Sequence, residues 1–272
     1  MTQILFIEGV SGAGKSTLVS RLTDRLRGQG YSVRSWLEFD FTNPIDFYCT
    51  AYFSSHEYED LCRRYPDSVE ALRQYTVSPD DVRLVRYYNE DTPLFDQPLL
   101  SELWSREFCY EPQNPVPLSE YTRVYQAVWK QYFSTLDNES DYLIFDGSLL
   151  HHPINDMMRN YHADKEQMLY HVRQLLGALG SLERKIYYLC TDDIAAQLAR
   201  AHADRGQNPP SAEYVDFWRQ RYQNDQFVLQ SVDEEYRIFD VSHNGWNEAL
   251  EMIISDSDDQ PSHYDRQYPL AD

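Results

Sequence analysis

The chain has 272 residues, 42% hydrophobic and 25% charged, values that suit a globular protein able to bury a core. Its 44 acidic and 24 basic side chains give a formal net charge of -20, which argues against a nucleic-acid partner, because phosphate backbones are bound through Lys and Arg. No apolar run approaches the roughly 20 residues of a membrane span, and the first residues lack a basic leader, so no membrane is expected and the chain reads as cytoplasmic.

The first predicted strand is QILFIEG, residues 3–9, a continuous apolar run of the kind buried on both faces by flanking helices. A helix follows at once, with Leu18, Leu22 and Leu26 four residues apart and Gly28 and Gly30 to close it. A second strand is expected at 31–39, and three more at 141–147, 184–190 and 236–242. Between them lie helical patterns in which Val124, Val128 and Tyr132, and then Met168, Val172, Leu175 and Leu179, share faces. Strands alternating with helices imply right-handed βαβ crossovers. The expected architecture is therefore α/β, a three-layer fold with a five-stranded parallel sheet flanked by helices.

A long aromatic-rich segment, about 42–135, separates the second and third of these strands and reads as a helical insertion over the carboxyl edge of the sheet. Its stretch SPDDVRLVRYY suggests a helix opened by Ser78 as N-cap, with Pro79 in the first helical position and Asp81 three residues after the cap. The domain reading is one unit, 1–255, and an acidic, loosely ordered tail, 256–272. Cys49, Cys62, Cys109 and Cys190 form no C-x-x-C pair and read as reduced thiols.

Chemistry is carried first by Gly9-Val10-Ser11-Gly12-Ala13-Gly14-Lys15-Ser16, followed by Thr17, which fits G-x-x-x-x-G-K-[ST] between a strand and a helix. The glycines let the backbone curl with its N–H groups inward, and that nest at a helix N-terminus binds phosphate oxygens. Lys15 is expected on the β- and γ-phosphates and the Ser16 hydroxyl on Mg²⁺. Asp146, after four apolar residues, is the expected metal-side carboxylate at the crevice beyond the strand ends. Glu38 and Asp40, in WLEFD, are each placed to accept a proton from a substrate hydroxyl, as is Asp146, or else are ordinary turn acids. Arg200 and Arg205, in LARAHADRGQNPP, fit a mobile lid at about 199–212 that brings positive charge to a transferring phosphoryl group. His151 and His152 lack a third metal ligand and read as structural or surface residues. Arg83, Arg86 and Arg106 read as solvated, with anionic-substrate binding as the alternative, and the aromatic cluster reads as packing that is also able to stack a ring.

With these residues in view, FIEGVSGAGKST resembles the opening of the deoxynucleoside kinase and thymidylate kinase branch of the P-loop kinases. LEFD sits where those enzymes carry a Glu-Pro that supplies the base, FDGS where they carry an acidic-Arg-Ser motif, RAHADRG resembles their arginine-bearing lid, and YRIFDVS resembles their last core strand. The resemblance covers about two thirds of the chain. It implies ATP with Mg²⁺ and phosphoryl transfer to a small acceptor, a nucleoside or nucleotide, and it leaves a homodimer open. Two positions depart from the pattern: Gly147 stands where the nucleoside kinases place arginine, and Phe39 where they place proline. Both lie on the acceptor side, which keeps an antibiotic or another metabolite in view as acceptor. A nucleotide-dependent switch or regulatory ATPase that binds a protein partner through the tyrosine-rich insertion is a second class, weakened because Gly147-Ser148, and no water-positioning side chain, follows Asp146.

Overall fold

A computed structural model describes residues 2–136, 139–242 and 245–258. In chain order, β1 (Gln3–Gly9), α1 (Lys15–Gly28) and β2 (Val33–Trp36) come first. A long excursion then holds β3 (Thr50–Ser54), α2 (Ser55–Arg64), α3 (Val69–Gln74), β4 (Thr76–Val77), β5 (Val82–Arg86), β6 (Tyr88–Asn89), β7 (Thr92–Pro93), α4 (Leu99–Trp104) and α5 (Leu118–Ser134). The chain continues as β8 (Tyr142–Asp146), α6 (His151–Asn160), α7 (Lys165–Ala178), β9 (Glu183–Cys190), α8 (Ile194–Asp204), α9 (Ala212–Ser231), β10 (Tyr236–Asp240) and α10 (Gly245–Asp258).

The expected five strands form one sheet, in the order β10-β9-β1-β8-β2, with every pairing parallel. Successive β1 side chains point to opposite faces. Ile4 and Phe6 enter a core beneath α5, α7 and α9, while Leu5 and Ile7 enter a second core beneath α1 and α10. Burial on both faces is why the strand reads as an unbroken apolar run. Leu18, Leu22 and Leu26 of α1 are buried as their spacing implies, and so are Val124, Val128, Met168, Val172, Leu175 and Leu179. The sheet order reverses at β1, with β8 on one side and β9 on the other, so a crevice opens beyond the carboxyl ends of these strands. Gly9, Asp146 and the loop after each stand at that edge.

The excursion differs from the sequence expectation in one element. Residues 78–88 do not form a helix capped by Ser78: Asp80 takes a positive φ of 50°, Val82 N–H bonds back to Pro79 O, and Val82–Arg86 pairs antiparallel with β3. Proline and aspartate here make a turn, and β-branched valines on the pleated strand bury Val82, Leu84 and Val85. The helices of the insertion therefore surround a three-stranded antiparallel sheet, β3-β5-β4, with its own core of residues such as Ala51, Phe53, Leu61, Leu72, Tyr87 and Leu103. α5 belongs instead to the main core, where Tyr121, Val124, Tyr125 and Trp129 are buried. All four cysteines are free thiols, Cys109 and Cys190 buried and Cys49 and Cys62 partly so. Among the described residues no helix is long and apolar enough to cross a membrane. Of the acidic tail at 256–272, the last turn of α10 holds 256–258, and 259–272 lies outside the described residues.

Candidate active site

β1 ends directly in the glycine loop. Gly9, at φ 143°, packs so closely on β9 that an added Cβ would stand 2.2 Å from Leu189 O, so no side chain fits there. Gly14, in the left-handed region, caps α1 and sets Lys15 and Ser16 in its first turn. Lys15 is 5% exposed, and its Nζ donates to Gly9 O and Val10 O at 3.3 Å each. Ser16 Oγ donates to Asp146 Oδ2 at 2.5 Å, joining α1 to the end of β8. Asp146 is fully buried, and its Oδ1 has no hydrogen-bond partner among the described residues. Burial pushes its carboxyl above the ordinary range against the opposing pull of Lys15 and Ser16. A buried carboxylate with a vacant lone pair beside a hydroxyl is a hard-oxygen set of the kind Mg²⁺ takes. Among the described residues no group of three or more His, Cys, Asp or Glu is arranged to hold a metal, so a cation here would rely on few protein ligands together with nucleotide and water.

A second buried carboxylate, Glu8, lies one residue before the loop. Its two oxygens accept the Leu149 and His151 backbone N–H groups at 2.8 and 2.9 Å, which anchors the start of α6 to β1. Burial raises it to about 7, although those N–H groups and Lys15 pull it down.

The start of α6 brings two histidines into the crevice. Both are buried, which removes the surface half of the structural-or-surface expectation, and both line the cleft with Lys15 and Glu38. His151 Nδ1 lies 3.0 Å from Gly9 O and 3.3 Å from Lys15 Nζ, and its ring stacks on Trp218. Burial, and then Lys15, hold His151 far below its ordinary pKa, so it is neutral. His152 Nδ1 donates to Asp46 Oδ2 at 2.6 Å, and its Nε2 is 3.6 Å from Glu38 Oε1. Burial alone would neutralise His152, but Asp46 and Glu38 outweigh it and lift the imidazole to about 10. Burial likewise opposes ionisation of both carboxylates, yet His152 together with Tyr110 at Asp46, and with His151 and Lys15 at Glu38, holds each below the usual range.

Of the two acids in WLEFD, only Glu38 reaches the cleft; Asp40 accepts from Thr42 N and Oγ1 at 2.8 and 2.7 Å and closes a local turn. Arg200 and Arg205 also line the cleft, at the C-terminal end of α8, before a loop that runs to the Ser211 cap of α9. The cleft measures about 800 Å³ and is completed by Gln197, Trp218, Trp246 and Arg159 among others. Trp246 Nε1 donates to Gly14 O at 3.4 Å, and Arg159 lies over the Phe217 ring. Arg83, Arg86 and Arg106 do not line it: Arg83 donates to Asp80 O and Val82 O, Arg86 to Asn43 O, and Arg106 pairs with Glu57.

Phe39, Tyr110 and Arg159 are shared with an adjoining cavity of about 650 Å³ under the insertion. Its walls include Tyr48, Tyr88, Leu100 and Trp104, and Glu107 is buried there with the Tyr87 hydroxyl donating to its Oε2. Burial, with the charges of Asp156 and Glu111, raises Glu107 to about 8 against the Thr50 N–H. Phe39 stands between the two spaces with φ 63°, a conformation that strains a bulky residue, and its ring packs on Tyr48, Tyr110 and His152. Gly147, where the resemblance expects arginine, has φ 73°, and an added Cβ would meet the His151 Cβ at 3.0 Å. An arginine at 147 is therefore strained and crowded against His151, and His151 and His152 line that part of the site.

The sequence pointed to Gly9–Thr17, Glu38, Asp146, Arg200 and Arg205, and the fold sets Ser11–Thr17, Glu38, Arg200 and Arg205 in the walls of one cleft, with Gly9 and Asp146 at its edge. It gave no sign of Asp46, Glu107, Tyr110 or Asp156, which carry no motif. His152 next to a second histidine was visible but had no partner at any motif spacing.

No family model and no curated protein matches the chain. Among solved structures, it is similar to a deoxyadenosine kinase from M. mycoides with bound dATP, at 13% sequence identity and a TM-score of 0.41, over 94% of this chain and 99% of that one.

Proposed function

We propose that the protein is an ATP- and Mg²⁺-dependent phosphotransferase that acts on a small hydroxylated acceptor, in first place a nucleoside or nucleotide. The observation that carries this reading is the Ser16–Asp146 contact at 2.5 Å, set against a glycine nest and a buried lysine at the mouth of a large cleft. Within Gly9–Thr17, the N–H groups of Val10 and Ala13 donate to Leu189 O and Val10 O; those of Gly12 and of Gly14–Thr17 would hold the phosphates, with Lys15 along the β- and γ-oxygens. Ser16 and Asp146 are the residues to hold the cation, which when bound neutralises charge on those oxygens. Glu38 accepts a hydrogen bond from the acceptor hydroxyl and orients its oxygen toward the γ-phosphorus. The new O–P bond forms there as the bond to the ADP oxygen breaks, and the hydroxyl proton passes to Glu38 and on to solvent. Arg200 and Arg205 approach from the lid side, where charge on the transferring group grows. A loose transition state asks mainly for this positioning and charge, and Glu38, held below the usual carboxylate range, suits orientation better than early proton removal.

The adjoining aromatic cavity suits the ring of the acceptor. Among its described lining residues Arg159 is the one basic side chain, against Glu107 and Glu111, which favours an uncharged acceptor over one already phosphorylated. The test is incubation with ATP-Mg²⁺ and a panel of nucleosides, nucleotides and hydroxylated antibiotics, followed by phosphorus NMR. A phosphorylated acceptor is expected, and ATP hydrolysis indifferent to every acceptor would refute the reading. Lys15→Ala is expected to lower transfer by about 1,000-fold or more with the circular dichroism spectrum unchanged.

A further inference from the structure

Three buried polar atoms of residues at this site lack a hydrogen-bond partner among the described residues: Asp146 Oδ1, His152 Nε2 and, on the Trp218 wall, Trp218 Nε1. The first fits a cation. The second needs its own explanation, because a buried donor left unpaired is costly, and more so when it carries charge. His152 is 4% exposed and cannot turn to solvent without losing its Nδ1–H bond to Asp46. Asp46 is fixed in turn by the Tyr110 hydroxyl at 2.9 Å and the Phe47 N–H at 2.7 Å. The ring also packs against Phe39 and Tyr110. Its Nε2 therefore has a set direction, toward Glu38 Oε1 at 3.6 Å, too long for a direct hydrogen bond, and both residues line the cleft. The charged and titratable groups around it are Asp46, Glu38, Asp146, Tyr110, His151 and Asp156. With two carboxylates closest, the ring is the fixed cation at this end of the cleft.

We propose that the Nε2–H of His152, held by Asp46, donates to an oxygen of the acceptor that neighbours the hydroxyl oriented by Glu38. The acceptor is then a molecule with two nearby oxygens, and His152 selects for the second. This inference rests on the phosphotransferase reading and assigns to a side chain the cationic role that glycine at 147 leaves open. His152 touches the acceptor but no transferring atom, so its loss acts on acceptor selection and leaves ATP binding intact.

The experiment pairs nucleosides with their 2′- and 3′-deoxy counterparts and measures kcat/KM for each, with the KM for ATP measured in parallel. The wild-type protein is expected to favour the member that keeps the second oxygen by about 10- to 100-fold, the range of a charge-assisted hydrogen bond. In the double variant Asp46→Asn/His152→Phe, which removes the Asp46 carboxylate together with the imidazole paired to it, that preference is expected to fall to within about twofold, with the ATP KM unchanged. A wild type without the preference, or a double variant that keeps it, overturns the proposal. A second measurement is independent of turnover: long-range proton–nitrogen NMR at pH 8 is expected to show both His152 ring nitrogens protonated in the wild type and a neutral ring in Asp46→Asn. A neutral wild-type ring overturns the charged donor. Absence of transfer from a wild type whose His152 ring is charged removes the phosphotransferase reading itself, and acceptor selection with it.

Discussion

The two ends of the cleft are built by different means. In the proposed function the phosphate end is one continuous stretch, the glycine loop and the first turn of α1, whose main-chain N–H groups would do most of the binding, closed by a single strand-end carboxylate. The acceptor end gathers Glu38, Phe39, Asp46, Tyr110, His152 and Arg159 from segments far apart in the chain, and it relies on side chains that are buried, charged or strained. Main-chain donors recognise any phosphate, so the first end commits the protein to a class of ligand. Side-chain donors read one arrangement of atoms, so the second end decides which molecule is used. The shared wall, Phe39, is where a general site meets a particular one.

The sharpest way to break this comparison is Asp146→Asn. It removes the carboxylate of the phosphate end and keeps every side chain of the acceptor end, although Asp146 Oδ2 also accepts from the Glu38 N–H at 3.4 Å. The turnover rate is expected to fall by about 100- to 1,000-fold over a Mg²⁺ titration. The melting temperature is expected not to fall, because burial already disfavours the charged form. A variant with wild-type turnover would show that Ser16–Asp146 is only a structural link. Next in size is Arg205→Ala. With Arg200 still on the same side of the cleft, kcat is expected to drop by about 10- to 100-fold, while calorimetric ATP affinity shifts by less than about threefold. Equal losses in both would mean that the lid arginine binds the ground state and does not favour the transition state.

The smallest effect tests whether the aromatic cavity holds an un-ionised carboxyl. Glu107 rises from an ordinary 4.5 to about 8 on folding, so between those values the folded state holds a proton that the unfolded state has released. Stability from this group is present at low pH and is lost as pH rises toward 8. His151 and His171, buried and held neutral, act in the opposite sense below their ordinary pKa. Comparison with Glu107→Gln isolates the one group. The fall in melting temperature of the wild type between pH 5 and pH 8 is expected to be several degrees steeper than that of the variant, followed by calorimetry. Parallel curves would mean that Glu107 is already ionised at pH 5.

The parts legible in the sequence share a property: each is local. The central strands β1, β8 and the end of β9 announce themselves because burial on both faces demands unbroken apolar runs, and the glycine loop because its conformation is set within a few residues. SPDDVRLVRYY misleads because a Ser-Pro start with an acid after it also fits a turn, and the antiparallel partner β3 settles the matter from about thirty residues away in the chain. Asp40 and Glu38 are equivalent in sequence; the turn that Asp40 makes with Thr42 separates them. His152 is uninformative alone and becomes a fixed cation only when Asp46 is packed against it.

By itself, then, the sequence determined a parallel α/β sheet, a glycine loop between its first strand and helix, and the strand-end carboxylate beside it, because periodicity and backbone chemistry act over short spans. The tertiary structure alone decided that the insertion carries its own sheet and an aromatic cavity, that a side chain at Gly147 would crowd His151, and that a histidine charged by two distant carboxylates lines the cleft. Burial and charge pairing are properties of neighbours in space, and no spacing along the chain encodes them.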